Sequence, residues 1–218
     1  EDVFEKARHY QVGVDSTGTP RYCDNFINDY YDDEGWWALA WIEASKLTGE
    51  KKYLDMAEII FDDMTTGWSD ACGGGIFWKK NPLHYKNSIA NNLFSLTAIR
   101  LYKATQNPAY LDWFKKNVDW YTQTGMINTD IYQIEDGTKD DCTPNRNAHY
   151  TYNQGVAIAV LAEMYLQTND KSYLELAEKI ADATITTQLV TDGGILREMK
   201  PEIDGSNDGV QFKGIFIR

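Results

Sequence analysis

The segment Leu47-Thr48-Gly49-Glu50-Lys51-Lys52-Tyr53-Leu54 returns as Ala104-Thr105-Gln106-Asn107-Pro108-Ala109-Tyr110-Leu111, and a third time as Gln167-Thr168-Asn169-Asp170-Lys171-Ser172-Tyr173-Leu174. Its Thr positions stand 57 and then 63 residues apart, a period that belongs to stacked supersecondary units. Downstream of each turn the apolar residues keep one register: Tyr53, Ala57, Ile60, Phe61 and Met64, then Tyr110, Phe114, Val118 and Tyr121, then Tyr173, Ala177, Ile180 and Ala181. That spacing predicts a helix with a single buried stripe, the outer member of a hairpin. Upstream of each turn, residues 37–47, 93–102 and 156–166 are apolar around more of the circumference, which predicts inner helices buried on several sides.

The connections from an outer helix to the next inner one share a glycine theme, Gly74-Gly75-Ile76, Gly125-Met126-Ile127 and Gly193-Gly194-Ile195, and read as helix stops. The run Gly73-Gly74-Gly75 has no Gly-Lys-Ser/Thr after it and no expected strand before it, so it is not read as a phosphate cradle. Hairpins of about 60 residues, stacked inner helix to inner helix, make a solenoid or a closed ring, and six of them would take about 360 residues. The expected fold is all-α, an (α/α)6 toroid present as an incomplete ring of roughly three and a half hairpins. Residues 1–218 are expected to form one catalytic domain, cut at both ends: residues 1–8 read as the end of an outer helix and residues 209–216 as the start of an inner one.

With 43% hydrophobic and 25% charged residues the chain can bury a sizeable core. A net charge of -12, from 33 acidic and 21 basic residues, repels phosphate backbones and anionic lipid, so nucleic acid and membrane partners are not expected. No apolar run reaches the roughly 20 residues of a membrane span, and the first residues carry no signal-peptide pattern. Cys23, Cys72 and Cys142 cannot all pair within one chain; isolated thiols or one disulfide are expected, and no metal site. No Asn-x-Ser/Thr acceptor is present.

In a ring of hairpins the ligand site lies where the inner helices begin. Four stretches occupy that position: residues 30–37, 85–88, 151–155 and 207–213, each mixing carboxylates or amides with aromatic rings, as sugar sites do. A single Asp at such a place is accounted for by capping. Three consecutive acids, Asp32, Asp33 and Glu34, between Tyr30-Tyr31 and Trp36-Trp37, exceed what a cap needs. Two adjacent carboxyls cannot both ionise freely, so one can hold a proton while the other attacks. Neighbouring residues can place them about 5 Å apart, the separation of a retaining double displacement.

The motifs Tyr31-Asp32-Asp33-Glu34-Gly35-Trp36-Trp37-Ala38-Leu39-Ala40-Trp41, Cys72-Gly73-Gly74-Gly75-Ile76-Phe77-Trp78, Lys86-Asn87-Ser88-Ile89-Ala90-Asn91, Tyr152-Asn153-Gln154-Gly155 and Phe212-Lys213-Gly214-Ile215-Phe216 together resemble glycoside hydrolase family 76, the endo-α-1,6-mannanases and their cell-wall transglycosidase relatives. The resemblance runs over nearly the whole chain. It implies an (α/α)6 toroid acting with retention on a mannose-containing polysaccharide or oligosaccharide, with Asp32 as nucleophile and Asp33 as general acid/base. It further implies that Asn87, Tyr152, Asn153, Gln154 and Gln211 face the substrate, with Tyr31, Trp36, Trp78 and Asp208 beside them. No metal or other cofactor is implied, the chain is expected to be a monomer, and the location implied is extracellular or at the cell surface. Rival readings are a mannoside transglycosidase, a non-catalytic carbohydrate-binding toroid, and a sugar epimerase using His84 and His149.

Overall fold

The computed structural model describes residues 3–14, 17–80, 85–146, 149–187, 193–198 and 208–217. Three helical hairpins dominate it. Inner α2 (Tyr31–Thr48), α4 (Ser88–Thr105) and α6 (Thr151–Thr168) are each followed by outer α3 (Lys51–Thr65), α5 (Pro108–Gln123) and α7 (Lys171–Thr186). A short α1 (Val3–Ala7) precedes them and α8 (Gly209–Ile217) follows. Inner helix packs on inner helix in sequence, α2 on α4, α4 on α6 and α6 on α8, so the described residues form an arc of an α/α toroid.

The repeat that opens the sequence is the inner-to-outer turn. Gly49, Gln106 and Asn169 close α2, α4 and α6 in the left-handed conformation, at φ 73°, 60° and 57°. The next helices start on caps suited to that turn: Asn107 accepts from the Ala109 N–H ahead of Pro108, and Asp170 accepts from the Ser172 N–H. Burial separates the two layers as the apolar patterns predict. Thirteen of the 18 residues of α4 are buried, whereas α3 buries only Met56, Ala57, Ile60, Phe61 and Met64. The helix read from residues 1–8 is α1, whose Phe4 packs against Phe26, Trp41 and Tyr53.

Gly125 directly follows the Thr124 cap of α5 at φ 77°, the helix stop expected, but α3 already stops on Thr66, so Gly74 and Gly75 do not end it. Gly73, Gly74 and Gly75 instead carry a tight loop at φ 80°, 147° and 82°, which lies against the Trp120 indole. Lys86, fully buried, donates from Nζ to the carbonyls of Ser69 (2.7 Å), Ala71 (2.6 Å) and Gly74 and holds the loop from within. Burial pushes its pKa down to about 8. A Cys72–Cys142 disulfide ties this loop to the segment ahead of α6 across 70 residues of chain, a closure worth about 4 kcal/mol on the loop-entropy account. Cys23 is free and buried.

Two small sheets were not expected from the sequence. β1 (His9–Val14) pairs antiparallel with β2 (Pro20–Asp24) in front of α2, and β3 (Ile127–Asn128) with β4 (Gln133–Ile134) between α5 and α6. Their strands are too short or too polar to show an alternation that competes with the helical period.

At Gly155 α6 and α8 approach closely, since a Cβ there would come within 2.6 Å of the Phe216 backbone. Gly155→Ala is expected to cost about 1–3 kcal/mol by overpacking. It is also expected to displace α8, lowering thermal stability and sugar affinity together. An unchanged melting temperature and affinity would show that α8 has room to move.

Candidate active site

The N-terminal ends of α2, α4, α6 and α8 surround one cavity of about 640 Å³. Eight of the residues expected at the site line it: Asp32, Asp33 and Trp36 from α2, Trp78 from the loop between α3 and α4, Asn87 at the start of α4, Tyr152 from α6, and Asp208 and Gln211 at α8. Tyr31, Asn153 and Gln154 do not. Tyr31 is buried in the core with its hydroxyl on Thr66 Oγ1 (3.0 Å). The Gln154 amide closes on Ile134 and the Tyr150 carbonyl, and Asn153 donates to Asp136 behind the cavity wall. Successive residues in a first helical turn are about 100° apart, so only some of each motif can look into the opening.

Asp136, Tyr85, Tyr150 and Phe212 also line the cavity and were not assigned a role from the sequence. The Tyr85 hydroxyl donates to Asp136 Oδ2 at 2.5 Å, and Asn153 Nδ2 donates to Asp136 Oδ1 at 3.1 Å. Asp136 thus stands between two donors, although burial still raises its pKa. Tyr152 and Phe212 stack at 4.0 Å and 8°, and Tyr150 meets Phe212 edge-on at 5.5 Å. Phe212 lay within a quoted motif, but Asp136 sits in a loop with no pattern of its own.

The acidic run divides by burial. Asp33 is exposed at the opening and accepts from Asn28 Nδ2 at 3.0 Å. Asp32 sits deeper, where the nearby Trp78 side chain and the backbone N–H groups of Asp32 and Asp33 offset part of the cost of its burial. Its Oδ1 has no hydrogen-bond partner among the described residues. Burial first and the Asp33 charge second push the Asp32 pKa up to about 7. Although Asp33 reaches the opening, the protein packed around it partly desolvates its carboxyl and raises its pKa, with the Asp208 charge adding to it. The N-cap position of α2, Tyr30, makes no side-chain cap, so Asp32 meets the first-turn amides while facing the cavity.

Glu34 belongs elsewhere. Its side chain is wholly buried, bonded by the Lys80 ammonium (2.5 Å), which also reaches Asp63 (2.5 Å). Burial pushes its pKa up to about 8. Glu34 also accepts from the Asn28 backbone N–H (3.1 Å), so the buried ion group fixes the residue that holds Asp33.

Among the described residues no group of three or more His, Cys, Asp and Glu stands close enough to hold a metal ion, and no helix is long and apolar enough to cross a membrane. His84 lies outside the described residues. His149 pairs with Glu135 at 3.2 Å and is not part of the cavity lining.

The sequence profile of Glycosyl hydrolase family 76 matches residues 1–218. A Schizosaccharomyces pombe protein provisionally named a mannan endo-1,6-alpha-mannosidase is 32% identical over 233 residues, covering 100% of this chain and 51% of its own length. The mannan endo-1,6-alpha-mannosidase DCW1 of Saccharomyces cerevisiae is 29% identical, with 100% and 51% covered. The chain thus spans about half the length of the curated relatives it matches. Among solved structures, the GH76A alpha-1,6-mannanase of Salegentibacter sp. HEL1_6 superposes with a TM-score of 0.79 at 30% identity, over 88% of this chain and 56% of that one. An inactive variant of that mannanase, with two consecutive aspartates replaced by asparagine, is known in complex with α-1,6-mannotriose.

Proposed function

Because the chain belongs to glycosyl hydrolase family 76 along its whole length, we propose that the protein is a retaining glycoside hydrolase cleaving α-1,6-mannosidic bonds in mannan, with Asp32 as nucleophile and Asp33 as general acid/base. The observation that carries this reading is the adjacent pair Asp32 and Asp33 lining one cavity walled by Trp36, Trp78, Tyr152 and Phe212.

In the first step Asp32 attacks C1 while Asp33 protonates the departing oxygen, and a glycosyl ester forms. In the second, Asp33 takes the proton of the incoming hydroxyl as the ester opens. Asp33 suits this exchange because it is exposed. Asp32 suits attack because it lines the cavity directly beside Asp33. Tyr152, Phe212, Trp36 and Trp78 offer ring faces to sugars, and Asn87, Asp208 and Gln211 offer hydrogen bonds. The implied extracellular or cell-surface location agrees with the Cys72–Cys142 disulfide, which persists in oxidising compartments.

The direct test is incubation of the full-length protein with linear α-1,6-mannan beside Asp32→Asn and Asp33→Asn. Chromatography should show short mannosides that neither variant releases; a folded wild-type protein that releases none would sink the hydrolase reading.

The pH dependence follows from the pair. The productive form carries one proton across the two carboxyls, which titrate together. As pH rises above the ordinary Asp range the first proton leaves and kcat/KM increases. As pH passes about 7, where the raised Asp32 value lies, the second leaves and kcat/KM falls. A bell with its maximum on the acid side of 7 is expected from initial rates between pH 3.5 and 9. An optimum above pH 8 would contradict it.

A further inference from the structure

A second cavity, of about 590 Å³, also opens against Asp33, which among the described residues is the one that lines both. Its walls include Tyr10 and Tyr22 from the β1–β2 hairpin and Asn28 and Tyr30 from the segment entering α2, with Lys80 at its edge. Tyr22 is 54% exposed, and its ring is braced by a stack on His9 at 4.9 Å and 9°. A flat, braced, water-facing ring beside amide and hydroxyl groups is a surface for a sugar face. The ammonium of Lys80 is engaged by Glu34 and Asp63, and Asp33 faces the space, so an anionic ligand finds no counter-charge there.

We propose that this second cavity binds the sugar on the leaving-group side of the scissile bond and, in the second step, an acceptor sugar. The inference rests on the glycosidase reading above. A general acid must touch the oxygen joining the two sugars, so the residue lining both cavities marks where the bond lies. In the first step the C1–O6 bond breaks, the Asp33 proton goes to O6, and C1 joins Asp32. The freed sugar lies over Tyr22. If another mannoside takes its place, its 6-hydroxyl forms the new bond to C1, the ester to Asp32 breaks, and the proton returns to Asp33. Water in that place gives hydrolysis. The hairpin therefore controls the balance between transfer and hydrolysis.

The test uses the full-length protein and Tyr22→Ala, with Tyr22→Phe as a ring-retaining control. Two substrates are compared: α-1,6-mannotetraose, whose leaving group is a sugar, and α-mannobiosyl fluoride, whose leaving group fills no cavity. The ratio of kcat/KM for the tetraose to that for the fluoride should fall about ten-fold in Tyr22→Ala. Transfer to added methyl α-mannoside should fall with it, and Tyr22→Phe should keep the wild-type ratio. An unchanged ratio in Tyr22→Ala, whether both rates hold or both fall, overturns the proposal. If the wild-type protein turns over neither substrate, the glycosidase reading has failed and binding is read directly. Amide NMR shifts at Tyr22 and Asn28 on titration with α-1,6-mannobiose then retain the site, and their absence removes it.

Discussion

Azide added to Asp33→Asn is expected to yield α-mannosyl azide from an aryl α-mannoside, and azide added to Asp32→Asn is expected to yield the β-anomer. The reason is geometric. Without its acid/base the enzyme can still expel a good leaving group, so a glycosyl ester to Asp32 accumulates and azide opens it from the opposite face, restoring the original configuration. Without the nucleophile, azide takes the place of the carboxylate and displaces the leaving group with a single inversion. Unassisted mannan cleavage should drop about 10²–10⁴-fold for Asp33→Asn and at least as far for Asp32→Asn. Anomer assignment by NMR checks the result, and exchanged anomers would reverse the two roles. That reversal has a physical basis, because burial favours the shared proton on Asp32. Substrate works against burial: positive charge developing at C1 favours the ionised Asp32, as do the Trp78 side chain and the first-turn amides near it.

Lys80→Met is expected to give the largest loss of stability. Its ammonium bridges Glu34, which is wholly buried, and Asp63. Removing one partner of a buried ion group costs about 3–5 kcal/mol. With 25% of the Lys80 side chain exposed, about 2–4 kcal/mol is the expected loss at pH 9, where Glu34 is ionised. The sign with pH follows from Glu34, whose folded pKa of about 8 stands above its ordinary value of 4.5. A carboxyl raised on folding favours the folded state while protonated, and that advantage is lost as pH rises from about 4.5 through 8. Taking away the cation raises Glu34 further, so the variant should lose little at pH 5 and most at pH 9. Urea unfolding at the two pH values measures this, and an equal loss at both would show that Lys80 acts through packing alone. Because Glu34 also accepts from Asn28, which holds Asp33, Lys80→Met should reduce cleavage as well.

Helical hairpins, their inner and outer order and the placing of an acid pair at an inner helix start were legible in the sequence, because turn chemistry and the 3.6-residue period are local properties. Thr48-Gly49, Thr105-Gln106 and Thr168-Asn169 needed no partner to announce a helix end in the left-handed conformation. The interior of the site was not legible in this way. Tyr31, Asn153 and Gln154 share motifs with lining residues, yet packing of α2 and α6 on their neighbours turned them inward. Asp136 and Tyr85, 51 residues apart, became one hydrogen-bonded pair only when the loops ahead of α4 and α6 met. The same meeting selected Cys72 and Cys142 from three cysteines, and the packing of the loop ahead of α4 on α2 gave Glu34 to Lys80 instead of to the cavity. The sequence by itself determined which elements form and where their ends lie, since neighbours along the chain set both. Tertiary structure alone decided which side chains of those ends face one another, because that depends on contacts between residues the chain holds far apart.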